Sequence, residues 1–116
     1  MLIDLNADVG ERPGAEGIRA DGEIMMGISS ANVACGFHAG DGATMRAICE
    51  LAALRHKRIG AHVSYLDREG FGRRAMEVDP GTLREHVVQQ IQALSIEAAV
   101  AGVTVTYVKP HGALYH

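Results

Sequence analysis

The stretch Ala31-Asn32-Val33-Ala34-Cys35-Gly36-Phe37-His38-Ala39-Gly40-Asp41 limits the fold of this chain more than any other. It opens as a short apolar run, the pattern of a fully buried strand. It then breaks into glycines around one histidine, and Asp41 stands where a helix could begin. A buried strand that ends in a Gly-flanked His and feeds a helix is how α/β folds present chemistry. Side chains at the carboxyl ends of parallel strands face the crevice where ligands bind. Two later segments repeat the design: Ile59-Gly60-Ala61-His62 and Tyr107-Val108-Lys109-Pro110-His111. The expectation is that His38, His62 and His111 converge, joined by an acidic group from the first strand.

The rest of the chain supports alternating strands and helices. Leu2 to Asn6 alternates with the period of a strand, with Ile3 and Leu5 packing outward under helices and Asp4 and Asn6 facing a barrel interior or an edge. Asp8 and Glu11 then fall in a loop around Gly10. Residues 12–22 are rich in Gly and charge and read as a loop over the mouth of the site, with Asp21 capping a short helix through Met26. A second strand runs from about Ser30 to Cys35. Asp41 to Lys57 is a helix: Met45, Ile48, Cys49 and Ala52 share one face, Asp41 suits the N-cap, and Arg55, His56 and Lys57 suit the negative end of the dipole. Arg58 to His62 is a short third strand. Ser64 to Asp79 is a loop long enough to predict a functional lid. Asp79-Pro80 then opens a helix whose apolar positions are Leu83, Val87, Ile91, Leu94, Ala98 and Ala101, with Gly102 as its stop. Val103 to Lys109 is a β-branched fourth strand. Helical crossovers of this length imply parallel, right-handed βαβ units. Four strands make half of a (β/α) barrel or a small open sheet; the raw edge after His111 favours a single domain, 1–116, that is the front portion of a larger barrel.

Composition narrows the function classes. With 116 residues the chain suits one small domain, and a net charge of −3 gives no basic footprint for nucleic acid. No apolar run reaches the ~18 residues of a membrane span, and the N-terminus lacks a signal peptide's basic start. Cys35 and Cys49 sit in a predicted strand and helix, outside any CxxC pattern, and read as buried thiols. A reducing cytoplasmic setting follows.

The three histidines occupy equivalent strand ends. Imidazoles plus a carboxylate such as Asp8 form a usual ligand set for a divalent metal, and a metal-free site with His as general acid and base stays open. Lys109 lies two residues before His111, so both can face one side of a strand and orient a carbonyl or carboxylate. Asp41 serves as a cap and as a candidate catalytic group. Asn6, Glu11, Arg73, Arg74 and Tyr115 are candidate substrate contacts, the two arginines as anion binders. His56 and His86 read as surface residues on helices. No P-loop pattern is present, so an ATP site would use other residues or other subunits.

Asp4-Leu5-Asn6-Ala7-Asp8-Val9-Gly10-Glu11, the GFHAGD string ending at Asp41, Ile59-Gly60-Ala61-His62, Gly70-Phe71-Gly72-Arg73-Arg74 and the KPHGALY string beginning at Lys109 together resemble the LamB/YcsF family. The resemblance covers nearly the whole chain in order. It implies a distorted (β/α) barrel similar to polysaccharide deacetylases and related glycosidases. It implies ATP-dependent opening of the lactam 5-oxoproline to glutamate by a 5-oxoprolinase, with this family acting beside subunits B and C. Relatives of that fold often hold a metal with one Asp and two His; by position these would be Asp8, His38 and His111, with His62 near. A homo-oligomer is compatible with the same reading. Members run to roughly double this length, and Ala7 stands where many carry cysteine, which argues against a required nucleophile there. The alternatives are a metal-dependent carbohydrate deacetylase or hydrolase, suggested by the fold, and a non-catalytic subunit that binds the substrate.

Overall fold

The computed structural model describes residues 2–116. Its elements are β1 (Asn6–Val9), α1 (Gly14–Met25), β2 (Ser30–Ala34), α2 (Gly42–Arg55), β3 (Arg58–Val63), α3 (Pro80–Ala101) and β4 (Val105–Pro110). The strands form one parallel sheet in the order β1-β2-β3-β4. That sequential order, with a helix in every crossover, is the order of a (β/α) barrel.

The two faces of the sheet differ sharply. Val9, Ala31, Val33, Ile59, Ala61 and Val63 point to the helices and pack with Met25, Met45, Ile48, Cys49, Leu94 and Ala98 into the core. The residues between them, Asn6, Asp8, Asn32, His62, Tyr107 and Lys109, share the opposite, polar face. Both long helices are capped as their sequences dictate. Asp41 accepts the Thr44 amide at 2.7 Å, Asp79 accepts the Thr82 amide at 3.2 Å, and Gly102 ends α3 at φ 82°. Cys35 and Cys49 are buried and free, and burial pushes their thiols up to about 12 and about 11. Among the described residues no helix is long and apolar enough to cross a membrane.

Five expectations are corrected. The first strand is Asn6–Val9, not Leu2–Asn6, so Asp8 lies on the strand; Leu2, Ile3 and Leu5 are exposed rather than packed under helices. The register sets the strand: Asn6 to Val9 pair with Ser30 to Val33, while Leu5 contributes only its carbonyl, which accepts the Ser29 and Ser30 amides. The segment read as a mouth loop contains α1, which lacks a side-chain N-cap. Asp21 caps nothing and is buried on that helix's inner face, in line with Gly17 and Met25. The fourth strand begins at Val105, two residues late. His86 is half-buried, edge-on to the Phe37 ring at 5.1 Å.

Candidate active site

Glu11, His38, His62 and His111 follow or end the four strands in turn, and one donor atom from each lies within 4.8 Å of those of the others. The three histidines are buried and Glu11 is partly so. His38 stacks on His111 with ring centroids 3.7 Å apart, and His62 stands edge-on to both. Phe71 closes the far side, edge-on to His38 and His111.

Backbone carbonyls fix two of the ring tautomers. A carbonyl can only accept, so His62 donates through Nδ1 to the Lys109 carbonyl at 2.9 Å, and His111 donates through Nε2 to the Phe71 carbonyl at 2.8 Å. Burial pushes both pKa values down, against the raising pull of those carbonyls and of the acidic side chains nearby. In the neutral rings the remaining nitrogens, His62 Nε2 and His111 Nδ1, are bare lone pairs facing each other at 3.0 Å. Glu11 Oε2 stands 3.9 Å and 3.7 Å from them and 2.7 Å from His38 Nε2. Electron-rich atoms converge here with their own protons turned outward. This is the donor chemistry that suits a divalent cation, with the outward N–H of His62 and of His111 held by a backbone oxygen, while His38 Nδ1 is buried without a hydrogen-bond partner.

Asp8 sits at the edge of this group. Its Oδ1 accepts from Asn32 Nδ2 at 3.0 Å and from Lys109 Nζ at 3.1 Å, while Oδ2 faces His62 Nε2 at 3.4 Å. Partial burial works to raise its pKa, but the Asn32 hydrogen bond and the charges of His62 and Lys109 outweigh it and keep Asp8 ionised. Asn32 also donates to Asn6 Oδ1 at 2.8 Å and accepts from the Tyr107 hydroxyl at 2.6 Å. Tyr107 reaches Asn32 by lying across Gly60, where a Cβ would overlap its ring. The register between β3 and β4 slips at that point, placing Ile59 against Val105 and Gly60 against Tyr107. Burial first of all pushes the Tyr107 phenol up to about 12, so it remains a donor.

A cavity of about 240 Å³ opens beside the cluster, lined in part by Asp8, His62, Lys109, His111 and Tyr115. Arg73 extends over the Phe71 ring at 5.0 Å and lines an adjoining hollow. Arg74 is instead engaged by Asp67, and Asp41 is committed to its cap. Neither belongs to the histidine cluster.

The loop after Ser64 is a brace and not the expected lid. Gln90 holds its start by accepting the Ser64 amide at 2.9 Å and donating to the Ser64 carbonyl at 3.0 Å. Arg68 donates to the carbonyls of Gly36 and Gly40 on either side of His38, and Gly72 accepts the Ala113 amide beyond His111. Gln90 escaped the sequence reading; its only signal was a polar residue on the apolar face of α3. Within the brace, hydrogen bonds from Arg74 hold the Asp67 carboxyl at about 2, below its ordinary 3.8. The stability this pair contributes is present in full above about pH 4 and is lost as the pH falls toward 2. Asp67→Asn is therefore expected to flatten the acid limb of an unfolding-versus-pH curve in that window, with little change in its slope above pH 5.

The sequence profile of the LamB/YcsF family matches residues 3–116. The chain is similar to the A-subunit of a 5-oxoprolinase from Streptomyces avermitilis, 59% identical over 99% of this chain and 46% of the relative. It is 54% identical to the corresponding 5-oxoprolinase A-subunit from Nocardia farcinica, over 100% of this chain and 46% of the relative. A lactam utilization protein from Thermus thermophilus, solved by crystallography, superposes with a TM-score of 0.90 at 44% identity, covering 99% of this chain and 47% of its own. The chain thus spans about half the length of the curated relatives it matches. A match over residues 3–116 places the chain in the LamB/YcsF family.

Proposed function

We propose that this chain supplies the hydrolytic site of an ATP-dependent 5-oxoprolinase, opening 5-oxo-L-proline to L-glutamate with partner subunits B and C in the cytoplasm. The observation that carries the reading is the inward convergence of His62 Nε2, His111 Nδ1 and Glu11 Oε2 beside a cavity that also exposes Asp8 and Lys109. The names borne by the relatives supply the substrate.

A lactam is a resonance-stabilised amide in a ring with little strain, so opening it needs activation. Transfer of the ATP γ-phosphoryl group to the lactam oxygen releases ADP. Water then adds to the ring carbon and the C–N bond breaks, leaving an acyl phosphate that a second water converts to glutamate and phosphate. Glu11, His38, His62 and His111 would hold a divalent cation in this reading. When bound, that cation supplies Lewis-acid stabilisation and a more acidic water. Asp8 Oδ2, ionised and free of other hydrogen bonds, takes a proton from the attacking water and returns it to the departing nitrogen. Lys109 steadies Asp8 and offers positive charge to the oxygen that gathers negative charge. Arg73 and Tyr115 face the substrate's carboxylate.

The test is glutamate release from 5-oxo-L-proline by the assembled complex, with ATP present and absent, repeated with His111→Ala. ATP-dependent release that the substitution abolishes is expected. Near-normal turnover in the variant would remove the cluster from the chemistry and leave the chain a binding subunit. The same donor set suits a metal-dependent carbohydrate deacetylase, which acetate release from a chitooligosaccharide without ATP would reveal.

A further inference from the structure

The Glu11 carboxylate enters the histidine cluster from a loop, whereas His62 is anchored within a strand. Something must hold that loop. Both neighbours of Glu11 are gripped by the inner face of α1. Before it, the Gly10 amide donates to Asp21 Oδ2 at 2.8 Å in the protein interior. After it, the Arg12 backbone lies so close to Gly17 that a Cβ there would sit 2.5 Å from the Arg12 carbonyl oxygen. Gly17 and Asp21 are one helical turn apart, on one line down the helix. Asp21 is 2% exposed, and its nearest cation is the Arg12 guanidinium at 3.7 Å, which is itself largely in solvent. A carboxylate buried at this depth with so weak a charge partner is costly to keep. Met25, one turn further along the same face, already supplies the apolar contact that the core requires. Gly10 adopts φ +75°, a conformation open to glycine, and this turn swings the chain from β1 toward the cluster.

We propose that Asp21 is a positioning residue: by gripping the Gly10 amide, with Gly17 seating Arg12, it aims the Glu11 carboxylate at His38, His62 and His111. The inference rests on the reading of that cluster as a cation site, and it assigns to α1 a task at the site that no apolar patterning of the helix would suggest.

Zn2+ alone, titrated in competition with a chelator, is the probe. Asp21→Ala is expected to weaken Zn2+ binding by roughly 10- to 100-fold, the usual cost of losing a residue that orients a ligand. Asp21→Asn keeps an acceptor for the Gly10 amide and is expected to bind as the wild type does. Asp79→Ala removes the N-cap of α3 and serves as the stability control; it should bind normally although its melting temperature falls. Should Asp21→Ala fail to fold, Gly17→Ala, which pushes on the other neighbour of Glu11, replaces it with the same expected loss. Wild-type affinity in Asp21→Ala, or an equal loss in Asp79→Ala, overturns the proposal. A wild-type protein that takes up no Zn2+ sinks the cation reading alone. The positioning role is then decided by the 15N shift of the His38 ring in metal-free protein. Asp21→Ala must move that resonance toward the position seen in Glu11→Gln, and an unmoved resonance overturns the role.

Discussion

His62→Ala is expected to lower the affinity for Zn2+ by more than about 100-fold, because losing a partner one step further from a metal already costs roughly 10- to 100-fold. His62 is the hub of the cluster. Its Nε2 lies 3.0 Å from His111 Nδ1, 3.4 Å from Asp8 Oδ2 and 3.9 Å from Glu11 Oε2. The Lys109 carbonyl anchors the ring from behind and fixes the direction of Nε2. The same replacement leaves a ring-sized gap against β4, so some loss of stability accompanies it. His56→Ala is the control: His56 is exposed at the left-handed end of α2 and touches none of the donors. Chelator competition on both variants and the wild type checks the prediction. Equal affinities in all three would mean that the imidazoles bind protons and one another and no cation.

The second large effect concerns a residue with no chemistry. Gly72→Ala is expected to destabilise the protein by about 2–5 kcal/mol, measured by urea unfolding. Gly72 adopts φ +70°, which costs an L-residue about 1–2 kcal/mol. A Cβ there would also lie 2.9 Å from His38 Cβ and 3.0 Å from His111 Cδ2. Forcing atoms into a packed interior adds about 1–3 kcal/mol. The two stacked rings would have to part, so cation binding should fall with stability. Gly14→Ala isolates the conformational part. Gly14 has φ +77° with nothing within 4 Å of the added carbon, and its cost should stay near about 1–2 kcal/mol.

What the sequence declared openly was whatever local rules govern. The capping pairs Asp41 with Thr44 and Asp79 with Thr82, the stop at Gly102, and the buried faces of α2 and α3 all follow from side chains acting within one or two turns. The GFHAGD and KPHGALY strings likewise carried the strand-end histidines. Three features stayed hidden, each for a reason of distance. Leu2, Ile3 and Leu5 alternate as well as any strand, yet the parallel partner Ser30–Val33 pairs with Asn6–Val9, and local alternation cannot choose a register. The inner face of α1, Gly17, Asp21 and Met25, has one large apolar residue, because its task is a close approach to a neighbouring backbone and a grip on one amide. Asp8 looked the better carboxylate for the histidines because it stands in a strand-end motif. The left-handed turn at Gly10 swings Glu11 inward instead and leaves Asp8 at the rim.

The order of the donors along the chain has a kinetic corollary. Glu11, His38 and His62 emerge from the ribosome first, and His111 is 49 residues behind His62, after the whole of α3. A nascent polypeptide therefore exposes an incomplete chelate throughout the synthesis of that helix. If the cluster binds the proposed cation, the complete donor set forms only after docking, when the closing imidazole arrives together with β4. Ions in the growth medium would then have little influence on folding yield and a large one on how slowly the folded protein unravels.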